Sequence, residues 1–115
     1  MQKFEVPIFE LAIELYKTLH MSRGKVPKQD RFTIWQKCEN KVINIIESLL
    51  LASQIPKNQK LLQLDNASKE LNILRVLIRL TKEVRTIDNK KYTQIEKIIN
   101  EIGRMLGGWI KSTKL

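Results

Sequence analysis

Residues 88–112 read DNKKYTQIEKIINEIGRMLGGWIKS, and the spacing of their apolar side chains decides the fold. Tyr92, Ile95, Ile98, Ile99, Ile102, Leu106, Trp109 and Ile110 recur at the three- and four-residue intervals that place side chains on one side of an α-helix. Asp88 stands just ahead of this stripe as a good N-cap, because its carboxylate can accept from a free backbone N–H of the first turn. Lys90, Lys97, Arg104 and Lys111 recur every seven residues, which keeps them on the side roughly opposite the stripe. A helix over about 88–112 that buries one face is therefore expected.

The same test, carried back along the chain, finds three more helices. Over about 56–85, Leu71, Leu74 and Ile78 lie on one side while Leu77, Leu80 and Val84 lie on another. An apolar arc that wide implies burial on two sides, and in so small a domain the second side is expected to meet another copy of the chain. Over about 28–53, Trp35, Cys38, Val42, Ile45, Ile46 and Leu49 form one stripe, with Gln36, Lys37, Asn40, Asn44 and Glu47 on the other side. Pro56 ends that helix, since the residue before a proline is pushed out of the α region, and can open the next one. Over about 6–21, Ile8, Leu11, Ala12, Leu15, Tyr16 and Leu19 face Glu10, Glu14 and Lys17 across the helix, and Ser22-Arg23-Gly24 and Pro27 mark the break that follows.

Four amphipathic helices joined by short connections predict an all-α fold, an antiparallel up-down-up-down four-helix bundle forming one domain over residues 1–115. The 115 residues are 43% hydrophobic and 29% charged, with four Gly and three Pro, which is too apolar for a disordered chain and too poor in breakers for an all-β one. No apolar run approaches the roughly 20 residues of a membrane span. The N-terminus lacks the basic and uninterrupted apolar regions of a signal peptide, so a soluble, intracellular, reduced protein with no membrane partner is expected.

The side chains that carry catalysis are scarce. The chain has one histidine, His20, and one cysteine, Cys38, which excludes an internal disulfide and a four-ligand zinc site. His20 falls near the end of the first helix, where an imidazolium suits the negative end of the helix dipole, and Cys38 falls on an apolar stripe, where a thiol packs as a small hydrophobe. Glu10 and Glu14 share a helix face, but no histidine follows at the ligand spacing of a di-metal bundle. Gly103, Gly107 and Gly108 neither follow a strand nor open a helix, so they do not form a phosphate-binding loop. Neither an enzyme nor a cofactor is expected.

Charge is the informative property. Twenty-one Lys and Arg against twelve Asp and Glu leave a net charge of +9, and such an excess usually serves a polyanionic partner. The excess is +1 over residues 1–27, +1 over 28–54, +4 over 55–87 and +3 over 88–115, so the second half holds most of it. Arg75, Arg79 and Lys82 share a helix face, with Arg85 close by, and make a ridge suited to phosphate contacts. The row of Lys90, Lys97, Arg104 and Lys111 is either a second such surface or a solvated face, and Glu70, Glu83 and Glu101 are the acids that could neutralise part of the charge. With no aromatic side chain interleaved in either row, contact is expected to be to the nucleic-acid backbone and insensitive to sequence. A glycine inside a helix is destabilising by about 0.5–1 kcal/mol relative to alanine, so Gly103 and Gly107 are expected to let another helix approach closely, with Gly108 a possible break before Trp109.

The string Glu101-Ile102-Gly103-Arg104-Met105-Leu106-Gly107-Gly108-Trp109 resembles the C-terminal signature of the accessory variability determinant proteins of diversity-generating retroelements. Leu15-Tyr16, Pro27 with Arg31-Phe32-Thr33, the run from Leu74 to Leu80, and Tyr92 are similar to the same family, while Asp88 stands where a serine is more usual. The resemblance implies a small basic four-helix bundle that assembles as a barrel-shaped homopentamer. It also implies a non-catalytic partner of an error-prone reverse transcriptase that binds RNA, and DNA as well, in the mutagenic copying of template RNA into complementary DNA. Arg75, Arg79 and Arg104 match basic positions of the family; with Lys82, Arg85, Lys90, Lys97 and Lys111 they are the candidate contacts for nucleic acid or polymerase. Gly103, Gly107, Gly108 and Trp109, with Leu77, Leu80 and Val84, are the candidates for packing and assembly. A related group, the bundle proteins encoded by intervening sequences in large-subunit ribosomal RNA genes, offers the alternative of a structural self-assembling or general RNA-binding module.

Overall fold

The computed structural model describes residues 5–115, with side chains from Pro7 onward. The first four residues of the segment expected to lack a signal peptide lie outside the described residues. The elements in chain order are α1 (Glu5–Ser22), a 3-10 turn (Arg23–Lys25), α2 (Lys28–Arg31), α3 (Ile34–Gln54), α4 (Lys57–Glu83) and α5 (Asn89–Lys114), and there is no strand among the described residues. No helix there is long and apolar enough to cross a membrane.

Side-chain bridges fix the helix directions. The Trp35 indole at the start of α3 donates to the Leu19 carbonyl at the end of α1, over 3.0 Å. Between α3 and α4 the pairs Lys41–Glu70, Asn66–Ser48 and Lys60–Ala52 run in opposite senses along the two helices. Between α4 and α5, Arg75 meets Asn100 while Lys82 meets Tyr92, again in opposite senses. Each long helix packs on the next in chain order, and α5 returns to α1, which closes an antiparallel bundle of 45 × 22 × 20 Å. A 27-residue α4 accounts for most of that length, at a rise of about 1.5 Å per residue.

The four stripes meet in one core, in which Trp35 and Trp109 are fully buried along with Ile8, Leu15, Ile45, Leu64, Leu74, Ile78, Ile95 and Ile99. Several polar groups follow the apolar ones inside by satisfying helix ends, whose last four carbonyls have no partner within the helix. Trp35 serves α1 in this way, and Lys60, itself buried, carries its ammonium to the Ala52 carbonyl in the last turn of α3, where a positive charge also suits the helix dipole.

The expected continuous helix over 28–53 is corrected: it breaks at Phe32-Thr33 into the single turn α2 and the long α3. The causes are tertiary. Arg31 Nε donates to the Val26 carbonyl over 2.9 Å and its Nη2 to the Gly24 carbonyl over 2.8 Å, while Arg23 Nη2 reaches the Arg31 carbonyl over 3.2 Å. These bonds tie α2 back to the preceding turn, whereas Trp35 must align α3 on α1. The backbone turns between them at Phe32 and Thr33, and the Thr33 hydroxyl takes the Gln29 carbonyl over 3.0 Å.

Helix α4 opens at Lys57 behind Pro56 and ends at Glu83 in a complete Schellman turn. The Thr86 N–H donates to Thr81 over 2.8 Å, that of Arg85 to Lys82 over 3.1 Å, and Arg85 takes the left-handed conformation at φ 64°. Arg85, expected at the end of the helix, thus lies beyond it. Asp88 caps α5 by accepting from the Lys91 N–H over 2.8 Å. There is no break at Gly108: the helix runs through Gly107 and Gly108 to Lys114.

Candidate nucleic-acid interface

The α4 ridge faces α5, and all three of its members reach it. Arg75 is half-buried, and its guanidinium donates to the Asn100 side chain on α5. The space it occupies lies directly over Gly103, where a Cβ would collide with the guanidinium tip. Lys82 holds its ammonium 4.7 Å from the centroid of the Tyr92 ring, a cation–π contact. Arg75, Arg79, Tyr92 and Glu96 line a narrow cleft of about 70 Å³ between the two helices. The Tyr92 phenol donates to the Glu96 carboxylate over 2.5 Å, and this bond, with a smaller part from burial, raises its pKa.

Tyr92 corrects the expectation that no aromatic side chain joins the basic rows. It packs against the core from its stripe and is also half-exposed beneath Lys82. The signal lay in its position one turn into α5, opposite the end of an antiparallel α4, which becomes readable only once the helix pairing is known.

Of the remaining cations, Arg79, Arg85, Lys90, Lys97 and Lys111 are exposed. Arg104 is exposed too, but pairs with Glu101 one turn before it, which holds the carboxyl below its usual range. Glu70 neutralises Lys41 on α3, not a member of the ridge. Ion pairs therefore leave the α4–α5 face almost untouched among the described residues: the three present are Arg23–Glu39, Lys41–Glu70 and Arg104–Glu101.

The residues expected to serve packing separate into two groups. Trp109 is fully buried, and Gly108 is half-buried within α5. Leu77 packs against the core, whereas Leu80 is 41% and Val84 56% exposed, in line with Ile73 and Val76. This apolar strip along α4 is uncovered in a single chain. At Gly103 the neighbouring helix α4 does come close, through the Arg75 and Leu71 side chains, whereas nothing lies within 4 Å of a Cβ at Gly107.

His20 is exposed and stacks on Tyr16 at a centroid distance of 5.9 Å. Cys38 is fully buried, and burial, with the Glu39 charge beside it, pushes its thiol up to about 12. A thiol held protonated in this way is a poor nucleophile.

Comparison with known proteins gives one family and one fold. The family model described as bAvd-like matches residues 9–113. A solved chain from Bacteroides thetaiotaomicron, described as a protein of unknown function from the S23 ribosomal protein family, superposes with a TM-score of 0.83 at 19% identity, covering 94% of this chain and 98% of that one. At that identity the likeness concerns the fold alone. No curated protein matches the chain.

Proposed function

The chain belongs to the bAvd-like family, and from that premise we propose that it is a non-catalytic accessory protein of a diversity-generating retroelement, acting in the cytoplasm. In this role it binds the element's reverse transcriptase and its template RNA or complementary DNA, and supports mutagenic reverse transcription. The observation that carries the reading beyond family membership is the α4–α5 face, where Arg79, Lys82, Arg85, Lys90, Lys97 and Lys111 carry charge that no ion pair cancels among the described residues. Such a face attracts a polyanion by releasing its condensed counterions and needs no base recognition to do so. Arg75 joins it by exchanging Asn100 for a phosphate, and Arg104 by exchanging Glu101.

The contribution is binding free energy: a scaffold that holds polymerase and template together raises their effective concentration without bond chemistry of its own. The uncovered strip of Ile73, Val76, Leu80 and Val84 supports self-association, and a homopentameric ring is the assembly the family implies.

The test is titration of the purified protein with a structured RNA at several salt concentrations, beside the variant Arg79→Ala/Lys82→Ala/Arg85→Ala. Affinity that falls steeply with salt, and a variant with a shallower slope and a loss of RNA and polymerase binding at unchanged oligomeric mass, are expected. Affinity indifferent to salt, or a variant indistinguishable from the parent, would refute the proposal.

A further inference from the structure

The break between α2 and α3 places Phe32 on the outside of the bundle, 72% exposed. An aromatic ring that open is unusual next to so large a core, and its surroundings are polar and basic. The Arg23 guanidinium lies 4.8 Å from the ring centroid, fixed there by its pair with the buried Glu39. Beyond the ring, Gln36, Asn40 and Asn44 follow at successive four-residue steps along the exposed face of α3, with Lys37 beside them. Phe32, these amides and the lysines Lys37 and Lys41 line one open groove of about 330 Å³. Its part along α3, from Gln36 to Asn44, extends for roughly 12 Å at 1.5 Å per residue.

No acidic residue lines the groove. Three of the nearby acids are engaged: Glu39 holds Arg23, Asp30 accepts from the Thr86 hydroxyl over 3.0 Å, and Glu70 holds Lys41, while Glu47, exposed one turn past Asn44, bounds the groove at its far end. Lys37 is exposed within it, and Lys25 and Lys28 are exposed on the turn and helix that precede Phe32 in the chain. Apart from Phe32 the lining offers no apolar anchor, which disfavours a peptide helix. It offers a stacking surface, amides that can donate and accept at once, and uncancelled positive charge. Unpaired bases on a phosphodiester chain require those three things together, since duplexes keep their base faces stacked and out of reach.

We propose that Phe32 and the Gln36-Asn40-Asn44 face of α3 form a binding site for single-stranded nucleic acid, separate from the α4–α5 face. Phe32 stacks on a base, the amides meet base edges, and Lys37 meets the phosphate. The Thr86–Asp30 bond brings this elbow close to the Arg85 turn, so a strand leaving the end of the α4–α5 face at Arg85 reaches Phe32 next. The proposal shares with the preceding one only the class of ligand, and the two fail separately.

The experiment compares the parent with Phe32→Ala and Phe32→Trp, titrating oligothymidylate and, separately, a duplex RNA of similar charge. Phe32→Ala is expected to weaken binding of the single strand about 10-fold, the loss typical of one stacking contact, with its salt slope and duplex affinity unchanged. Phe32→Trp is expected to retain affinity, with its indole emission quenched as oligothymidylate binds. Phe32→Ala that binds the single strand like the parent overturns this site and leaves the α4–α5 proposal standing. A changed oligomeric mass in light scattering for Phe32→Ala also overturns it, because the ring then covers protein. A parent that binds neither ligand overturns both proposals.

Discussion

Arg85 occupies the one left-handed position among the described non-glycine residues, in the place where helices most often end with glycine. An L-residue there is strained by about 1–2 kcal/mol. Arg85→Gly is therefore expected to raise stability by about 0.5–1 kcal/mol, measured by urea unfolding, while weakening RNA binding. A variant no more stable than the parent would show that the Schellman turn holds Arg85 without strain. Cys38 gives a second prediction at this scale. Its thiol ionises near 9.0 in the unfolded chain but is pushed up to about 12 when folded. Its stabilising contribution is therefore complete below pH 9 and is lost as pH rises through the folded value. Unfolding free energy should fall more steeply above pH 9 in the parent than in Cys38→Ala. Burial of Cys38 was legible from its place on a stripe. The docking of Arg75 was not, because its partner lies 25 positions away and the space for it is made by a missing side chain at Gly103.

The helices differ in how much of their extent local chemistry determines. Helix α5 follows from its stripe and its cap, and removal of the cap in Asp88→Ala is expected to lower stability by about 1 kcal/mol in the same unfolding assay. Gly107 sits mid-helix with open space around it, so Gly107→Ala is expected to stabilise the isolated chain by about 0.5–1 kcal/mol. A stabilised chain with a reduced oligomeric mass would place Gly107 against a neighbouring copy. The α2–α3 elbow illustrates the opposite case. Its residues satisfy a helical pattern across 28–53, and the break arises from bonds that cross the edge of that segment, Arg31 reaching carbonyls before it and Arg23, outside it, reaching the Arg31 carbonyl. Periodicity along one segment carries no information about such bonds.

At the scale of the molecule, the bundle and its chain order were readable because each stripe needs a partner and short connections leave only antiparallel neighbours. The uncovered strip on α4 was readable as an arc too wide for one neighbour. What it packs against is a question of assembly, tested by Leu80→Glu/Val84→Glu. If copies meet there, the parent's thermal midpoint rises with protein concentration, and the variant's mass falls to one chain with its helical content kept. A parent already monomeric at high concentration would dismiss the strip as an interface.

The closed cycle of four helices also makes its seams unequal. Three are zipped by hairpins between consecutive helices, whereas the fourth, α1 against α5, is the thinnest and joins opposite ends of the chain. Its closure bears the largest loop entropy and brings together the residues farthest apart in the sequence. Of the two helices at that seam, α1 is also the more thinly held by its other neighbour, so it is expected to dock last and peel away first. In native-state hydrogen exchange α1 should be the first foldon to open, exposing the inner faces of α3 and α5 before the bundle as a whole unfolds.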